Sequence, residues 1–308
     1  MIALPETPTD SLQLADWLEL CALVAPDGDA SKEQLDSAVR TAAVFPVEDE
    51  DEEIEALCLD VFRELEARER AAAEGYPFKI EHPMLRRSRD WQKRPVYIFC
   101  LCLSYFGVAS RKQTKAYPRR WFESIAREAA ARYMGGDAVR LAWPRVKDEI
   151  PIQFGKAVEK LCRELLLEGE GFSNKGLPYP KDGGVDVVAW KHFPDRLVGK
   201  LVLFGNCATE KNWTGAKKTE LMPHAFCEEW MSSIPPSAIV RSLFVPHRCE
   251  ERAFASHTRR AGIIFDRCRI AYWFQQGLKT ADRAVWRCGL DQHEVVSWTE
   301  KTIQAAVL

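Results

Sequence analysis

The sequence predicts a mixed α/β protein in which an all-helical N-terminal domain precedes a domain that alternates helices with strands. Up to residue 134, apolar residues recur mainly at the spacing of one helix face. Beyond residue 149, apolar runs follow one another in the order helix, strands, helix, strand, which is typical of α/β domains. Pro144 and Pro151 separate the two patterns, so we place the boundary between residues 148 and 149.

The N-terminal domain carries helix start and stop signals. Ser31 and Gln34 have the spacing of a capping box, in which two side chains bond the free backbone N–H groups of a helix start. Pro118 suits the first turn of a later helix, and the glycines at 135–136 suit its end. The predicted helices cover residues 10–25, 31–43, 54–73, 96–106 and 118–134.

Charge is segregated along the chain, although the formal net charge is only −2. Residues 1–74 contain 20 acidic and 5 basic residues, whereas residues 75–120 contain 11 basic and 2 acidic residues. Residues 76–95 of the basic segment are expected to be irregular. The basic segment indicates a surface that binds a polyanion, and the acidic segment indicates a surface that repels or mimics a polyanion. The alternative is that both are ordinary solvated helix faces. The predicted nucleic-acid contacts are Arg111, Lys112, Lys115, Arg119, Arg120, Lys217 and Lys218.

Several function classes lack their sequence signatures. No apolar run is long enough to cross a membrane, and the N-terminus lacks the basic and apolar regions of a signal peptide. The ten cysteines include no Cys-x-x-Cys pair, so we expect reduced thiols and a cytoplasmic protein. No Walker motif, dinucleotide fingerprint or nucleophile elbow is present. An alternative zinc site, whose spacing fits no finger or ribbon, would use His224, Cys227, His247, Cys249 and His257.

One carboxylate interrupts an apolar run of the second domain. Asp186 lies within the segment 183–190, which reads Gly-Gly-Val-Asp-Val-Val-Ala-Trp. A carboxylate in a buried strand is costly unless it binds a metal or a partner. Arg267 and Arg269 share one face of a later predicted strand, where they would line a DNA groove or pair with the acidic N-terminal segment. The predicted strands cover residues 185–190, 200–206, 238–245 and 262–274, with helices at 154–168, at 220–231 and after Asp291.

The order of elements between residues 154 and 250 resembles a known superfamily. A helix, a glycine-rich bend, the segment 183–190, a hairpin and an apolar strand with a polar end follow one another. This order is similar to that of the PD-(D/E)XK, or restriction-endonuclease-like, phosphodiesterases. The resemblance implies a mixed sheet flanked by helices. It also implies an acidic residue on the first helix, an aspartate on the second core strand and a Glu/Gln-x-Lys motif on the third.

The motif positions of the superfamily map onto this chain with one departure. The resemblance makes Glu159 the helix acid and Asp186 the strand aspartate, while Asn206 stands where Glu or Gln is expected. Ala208 occupies the position of the lysine. Lys211, just past the strand, would supply the missing ammonium group from a neighbouring position. The third-strand motif is therefore degenerate.

The resemblance implies a Mg²⁺ (or Mn²⁺) site with Asp186, Glu159 and Asn206 as ligands. Mg²⁺ takes oxygen ligands, lowers the pKa of a bound water and polarises a phosphate. Lys211 would orient that water or stabilise the charge that develops on the phosphate. Glu210 is an alternative second ligand if the strand extends that far.

The function that the resemblance implies is a metal-dependent nuclease acting on double-stranded DNA, as an effector of bacterial anti-phage defence. A regulatory partner or a homo-oligomer is expected, and a membrane partner is not. The alternative is an inactive nuclease-fold scaffold that binds DNA or a partner protein, which Asn206 and Ala208 favour. The acidic segment 1–74 would gate the site, so its deletion is expected to raise DNA binding and cleavage.

Overall fold

Helices cover both faces of a five-stranded sheet, and a smaller three-stranded sheet packs beside the N-terminal helices. The structure, a computed structural model, describes residues 2–46, 50–107, 117–147, 149–175, 181, 183–215, 221–278 and 289–307. The mixed α/β class that the sequence predicts is confirmed. Within these ranges, no helix combines the length and the apolar character that crossing a bilayer requires.

Several helix starts coincide with side-chain caps that the sequence makes recognisable. The Ser31 hydroxyl accepts the backbone N–H of Gln34 at 3.1 Å, and Asp10 and Asp291 cap two further helices in the same way. The helices are α1 (Ser11–Val24), α2 (Lys32–Ala42), α3 (Glu50–Ala72), α4 (Pro95–Phe106), α5 (Tyr117–Met134), α6 (Phe154–Lys160, continued as a π-helical turn over Leu161–Leu166), α7 (Pro223–Trp230), α8 (Glu251–Ala261), α9 (Arg267–Leu278) and α10 (Gln292–Ala306).

The prediction that the N-terminal segment is all-helical is wrong, because it contains a small antiparallel sheet. Its strands are β1 (Asp29–Ser31), β2 (Phe78–Glu81) and β3 (Met84–Arg87), in the order β1-β3-β2. Residues 76–95, expected to be irregular, supply two of them. In β2, Phe78 is buried and Lys79 is exposed, which is the alternation of a half-buried strand. Strands of three or four residues are too short for that alternation to be recognised in the sequence.

The larger sheet is mixed and has the strand order β4-β5-β6-β7-β8. The first two pairings are antiparallel and the last two are parallel. The predicted strands at 185–190, 200–206 and 238–245 are confirmed to within two residues. The edge strand β4 lies before the predicted boundary at residue 148, so the sheet takes a strand from the N-terminal segment. The strands are β4 (Asp137–Arg140), β5 (Val187–Trp190), β6 (Leu201–Cys207), β7 (Ala238–Phe244) and β8 (Ile263–Phe265).

The predicted strand at 262–274 is wrong beyond Phe265. The Asp266 carboxylate accepts the backbone N–H of Arg269 at 3.0 Å, and this cap begins α9. Arg267 and Arg269 therefore lie on a helix rather than on one face of a strand. Arg267 is fully buried and binds Asp16, so it pairs with the acidic N-terminal segment and does not line a groove.

Alternate residues of the larger sheet enter two different cores. Val187 and Leu203 belong to the core that also contains the buried faces of α1, α3, α4, α5 and α9. Val188 and Phe204 belong to a second core, with α6 and α7. The helices α5 and α6 therefore pack on opposite faces of the sheet, as the period of two along each strand requires.

A group of ionic and phenolic side chains is sealed inside the first core. Arg68 Nη1 lies 2.7 Å from Asp16 Oδ1 and 3.0 Å from Glu19 Oε2. The hydroxyls of Tyr76 and Tyr97 each donate to Glu19 Oε1 at 2.8 Å. The buried arginine network, as we name this group, consists of Asp16, Glu19, Arg68, Arg267, Tyr76 and Tyr97.

The two carboxyl groups of the buried arginine network have pKa values shifted in opposite directions. Burial alone raises the pKa of Asp16, but the charges of Arg267 and Arg68 outweigh burial and lower it. Burial keeps the pKa of Glu19 raised despite the same two arginines, and the charge of Asp16 adds to the effect. The two arginines therefore compensate Asp16 more completely than Glu19.

Candidate functional site

Most strands of the larger sheet end at the same edge. Because β4 and β6 run antiparallel to β5, and β7 and β8 run parallel to β6, four carboxyl ends meet the start of β5 there. Ligands of open α/β sheets bind outside the carboxyl ends of strands, where loops carry polar side chains. A ligand site is therefore expected at this edge of the sheet.

Asp186 is fixed at this edge, directly before β5. Its backbone N–H donates to the carbonyl of Gly205 at 2.9 Å, and its own carbonyl accepts the N–H of Leu141 at 2.8 Å. The carboxylate oxygen Oδ2 accepts the backbone N–H of Cys207 at 2.7 Å. The side chain is half-buried, so its negative charge is placed at the boundary between the protein and solvent.

Asn206, another predicted ligand, lies at the same edge, near the end of β6. Val187 pairs with Gly205 in the antiparallel register, and the N–H of Asp186 donates to the same Gly205 carbonyl, so both residues lie opposite Gly205. Asp186 and Asn206 are both half-buried. Because Phe204 lies in the core of α6 and α7 and Cys207 lies in the core of α5, the alternation along β6 turns Asn206 toward the α6 face. Asp186 and Asn206 therefore lie at the same edge of the sheet.

A second carboxylate, from α5, completes this edge and was missed by the sequence analysis. Glu123 is buried, and its Oε2 accepts a hydrogen bond from Arg140 Nη1 at 2.8 Å. Arg119, one turn earlier on α5, lies 4.0 Å from Glu123 and 3.4 Å from Glu210. The spacing of Arg119 and Glu123 on a predicted helix was a signal for their pairing. The sequence contained no comparable signal for the contact of Arg140, because β4 itself was not predicted.

The pKa of the Cys207 thiol reflects the charged side chains around it. Burial raises the pKa of the thiol, and the negative charges of Asp186 and Glu123 raise it further. Arg119 and Arg140 act in the opposite direction. The thiol therefore stays protonated at neutral pH and is unsuited to nucleophilic attack. The groups that act on the thiol are Arg119, Glu123, Arg140 and Asp186. Together with Asn206, the residue before Cys207 on β6, we name them the edge cluster.

Glu159, the predicted helix acid, makes its contacts elsewhere. Its Oε2 accepts the backbone N–H of Phe172 at 2.6 Å, and its other oxygen accepts from Arg163. The Phe172 N–H, and secondarily Arg163, lower the pKa of Glu159. Gly171, with φ of +115°, has no Cβ, and a Cβ there would lie 2.5 Å from Glu159 Oε2. Glu159 thus closes the glycine bend, and it lies on the helix that packs on the sheet face opposite α5.

Lys211, the predicted source of the ammonium group, pairs with a different carboxylate. Its Nζ lies 3.8 Å from Glu6 Oε1, and both side chains are mostly exposed. It lines a cavity of about 420 Å³ together with Ser104 and His247. Of the predicted nucleic-acid contacts, Arg119 is exposed and Arg120 is half-buried. The others lie outside the described residues: Arg111, Lys112, Lys115, Lys217 and Lys218.

The donor atoms at the edge allow a limited test of metal binding. In the described ranges, no group of three or more His, Cys, Asp or Glu side chains is placed to hold a metal ion. The alternative zinc residues are accordingly dispersed, with Cys227 and Cys249 buried in separate cores. Mg²⁺ needs fewer protein ligands, because it binds through one or two carboxylates and completes its coordination shell with water and phosphate. The Asp186 carboxylate fits that limited role, and Asn206 is a further oxygen donor at the same edge.

Comparisons with protein-family models, with curated proteins and with solved structures find no match for this chain. The function is therefore inferred from the chemistry of the edge cluster and its surroundings.

Proposed function

We propose that the chain is a Mg²⁺-dependent nuclease of the PD-(D/E)XK type that hydrolyses phosphodiester bonds in DNA, with the edge cluster as its active site. The observation that carries this proposal is the Asp186 carboxylate at the carboxyl edge of the sheet, where it accepts the Cys207 N–H beside Asn206. Asp186 directly precedes the second strand of the five-stranded sheet and Asn206 lies on the third, which supports the resemblance. The mixed sheet between helical layers supports the same assignment.

Asp186 would hold the Mg²⁺ ion, with Asn206 at the same edge as the other candidate ligand, and the ion would supply a water of lowered pKa and polarise the phosphate. Arg119 is the cation placed to bind the phosphate, because its side chain is 44% exposed and lies at the mouth of the edge cluster. A guanidinium group can bind two phosphate oxygens at once and stabilise the charge that develops on them. Arg140 neutralises Glu123, which limits repulsion between that buried carboxylate and the incoming phosphate.

The biological setting belongs to the same proposal and is supported by the resemblance alone. A nuclease of this type would act in the cytoplasm, as an effector of anti-phage defence. Double-stranded DNA would be its target, and a regulatory partner or a second copy would control it. The acidic segment 1–74 would then restrain DNA binding until that control is released.

The test is cleavage of a supercoiled plasmid with Mg²⁺ or Mn²⁺. We expect Asp186→Ala to reduce the rate by about 100-fold or more, and Arg119→Ala by about 10- to 100-fold, as for the loss of a transition-state contact. Lys211→Ala is the matched control, because the Lys211 ammonium group pairs with Glu6 and not with a residue of the edge cluster. Cleavage that survives Asp186→Ala would refute the active site, and loss of cleavage in Lys211→Ala would restore the lysine role that the resemblance implies.

The second candidate is a nuclease-fold scaffold that binds DNA without cutting it. It is favoured by Ala208 at the lysine position and by the ion pair between Glu123 and Arg140, which occupies the second carboxylate. This reading predicts that electrophoretic mobility shift with duplex DNA persists in EDTA and weakens with salt. Binding without cleavage under either metal would favour the scaffold over the nuclease.

A further inference from the structure

A cavity of about 770 Å³ lies between the segment after β4 and the start of α6. The Trp143 side chain forms one wall and is 44% exposed, which is unusual for the largest apolar residue. Phe154 and Phe172 form the interior, with their rings edge to face at 6.2 Å. We name this cavity the Trp143 pocket, lined by Trp143, Arg145, Phe154, Lys156, Phe172 and Lys181.

A fixed positive charge lies beneath the exposed indole. The guanidinium of Arg145 lies 5.8 Å from the centre of the Trp143 ring and 5.4 Å from that of Phe154. Its Nη1 donates to the carbonyl of Ile152 at 2.9 Å, and its Nη2 donates to the carbonyl of Lys181. Arg145 is only 5% exposed, so its orientation is set before any ligand arrives.

The rim of the Trp143 pocket is also basic. Lys156 and Lys181 line the pocket and are exposed. Among its described lining residues the single carboxylate is Glu159, which is already bound by Arg163 and by the backbone N–H of Phe172. The pocket therefore combines aromatic walls with an excess of positive charge, which complements a planar ring that carries a phosphate.

The Trp143 pocket adjoins the edge cluster through the backbone. The N–H of Ala142 donates to the carbonyl of Asp186 at 3.2 Å, and Trp143 is the next residue. Since consecutive Cα atoms are about 3.8 Å apart, the Trp143 backbone lies within roughly 10 Å of Asp186. The pocket lies on the sheet face covered by α6, whereas Glu123 and Arg119 lie on the face covered by α5, so a strand that occupied both places would pass over the carboxyl edge of the sheet.

We propose that the Trp143 pocket binds one unstacked nucleotide of a DNA strand, with the base against Trp143 and the phosphate between Lys156 and Lys181. The inference rests on the proposed function and deepens it, because it moves the preferred substrate from intact duplex DNA to single-stranded or locally unpaired DNA. A base inside a duplex is stacked on both faces and is not available to the indole. Recognition is independent of sequence, since every base has a ring face to stack.

The test measures binding without catalysis, by fluorescence anisotropy in EDTA. The probes are a fluorescein-labelled oligothymidylate of roughly twelve nucleotides, within the usual range of single-strand sites, and a mixed-sequence duplex of the same length. We expect Trp143→Ala to weaken binding of the single strand by about 10- to 100-fold, the range for loss of one stacked base. Trp143→Phe keeps a ring and is expected to lose less.

Phe193→Ala is the matched control, because Phe193 is an exposed aromatic residue on the hairpin between β5 and β6, at the opposite end of these strands. We expect it to bind both probes as the parent protein does. Thermal unfolding of each variant shows whether a loss of binding reflects a loss of folding. Unchanged single-strand binding in folded Trp143→Ala would overturn the inference, as would an equal loss for the single strand and the duplex.

Two further measurements distinguish strand binding in the Trp143 pocket from the cleavage activity and from a site for free nucleotides. Asp186→Ala is expected to lose cleavage while it keeps the Trp143-dependent binding, so the two roles fail independently. Thymidine monophosphate is expected to compete only weakly with the labelled strand. Competition by the mononucleotide at the affinity of the strand would overturn the assignment to a strand, because neighbouring phosphates would then contribute nothing.

Discussion

The buried arginine network and the edge cluster use the same residue types for different ends. In the network, Arg68 and Arg267 are fully buried, and Glu19 receives two tyrosine hydroxyls as well as Arg68. In the edge cluster, the Arg119 side chain is 44% exposed and Asp186 is half-buried, although Glu123 and Arg140 are buried. Enclosure thus commits the charges of the network to one another, whereas exposure leaves Arg119 and Asp186 accessible to a ligand.

This difference has an energetic consequence. Removing one partner of a buried ion pair leaves an uncompensated charge in a medium that solvates it poorly, at a cost of about 3–5 kcal/mol. Removing one partner of an exposed pair costs about 0.2–1 kcal/mol, because water replaces it. Substitutions in the two regions should therefore separate stability from activity.

The largest effect is expected for Arg68→Met, which leaves Asp16 and Glu19 with only one of their two arginines. We expect the free energy of unfolding to fall by about 3–5 kcal/mol, measured by urea denaturation with circular dichroism. Arg70→Met is the control on the same helix, since the Arg70 side chain is 72% exposed. Equal urea midpoints for the two variants would contradict a structural role for the network.

A smaller difference is expected between two aspartates that are replaced in the same way. Asp16→Asn removes the charge that binds Arg68 and Arg267 and is expected to lower the free energy of unfolding by about 2–4 kcal/mol. Asp186→Asn keeps an oxygen that can accept the Cys207 N–H, so a change of at most about 1 kcal/mol is expected. Both values come from urea denaturation at neutral pH. A loss at Asp186 as large as at Asp16 would mean that the edge cluster is structural.

The pH dependence of stability should reveal the histidine that connects the two regions. Nε2 of His247 donates to the carbonyl of Glu210 at 3.0 Å, and its Nδ1 accepts from the Ser104 hydroxyl at 2.9 Å. Burial lowers the pKa of His247 below its ordinary value of 6.5. Between these two pKa values the unfolded chain binds more protons than the folded one. The stability is therefore complete above pH 6.5 and is lost as the pH falls through the folded pKa.

We expect His247→Gln to remove part of this acid-dependent loss, measured as the urea midpoint at a series of pH values. His224→Gln is the control, because His224 is exposed. An unchanged dependence of the urea midpoint on pH in His247→Gln would show that other groups cause the loss of stability at low pH.

The smallest effect is expected for Lys211→Gln. The ammonium group lies 3.8 Å from Glu6, and 64% of the Lys211 side chain is exposed. A single exposed pair at this separation contributes little, because solvent and salt screen it. We expect a urea midpoint equal to that of the parent protein within error. A clear loss of stability would show that the cavity beside Lys211 belongs with the buried regions.

The parts of the fold that follow from local rules were predictable. The caps at Ser31 and Asp291 and the two apolar runs around the hairpin are short-range signals, and that hairpin places Asp186 and Asn206 at one edge of the sheet. The segment from Gly262 to Phe274 was not predictable in the same way, because a buried strand and a buried helix both appear as continuous apolar runs. Only the cap at Asp266 separates the two structures.

The rest of the edge cluster depends on contacts between distant parts of the chain. Glu123 is recognised as a site residue only when β4 brings Arg140 to it. The position of Glu159 was decided by the bend at Gly171, which captures its carboxylate through a neighbouring N–H. Sequence spacing cannot predict such competition, because it depends on which backbone groups the folded chain leaves unpaired.

The ion pair between Asp16 and Arg267 joins residues 251 positions apart. At a synthesis rate of about 5–20 residues per second, roughly 10 to 50 s separate the appearance of the two partners on the ribosome. During that interval α1 carries carboxylates that lack one of their two arginines, so it cannot bury them as it does in the finished protein. Completion of the first core is therefore a late event that waits for Arg267, and nascent chains that end before Arg267 should be clients for chaperones and proteases.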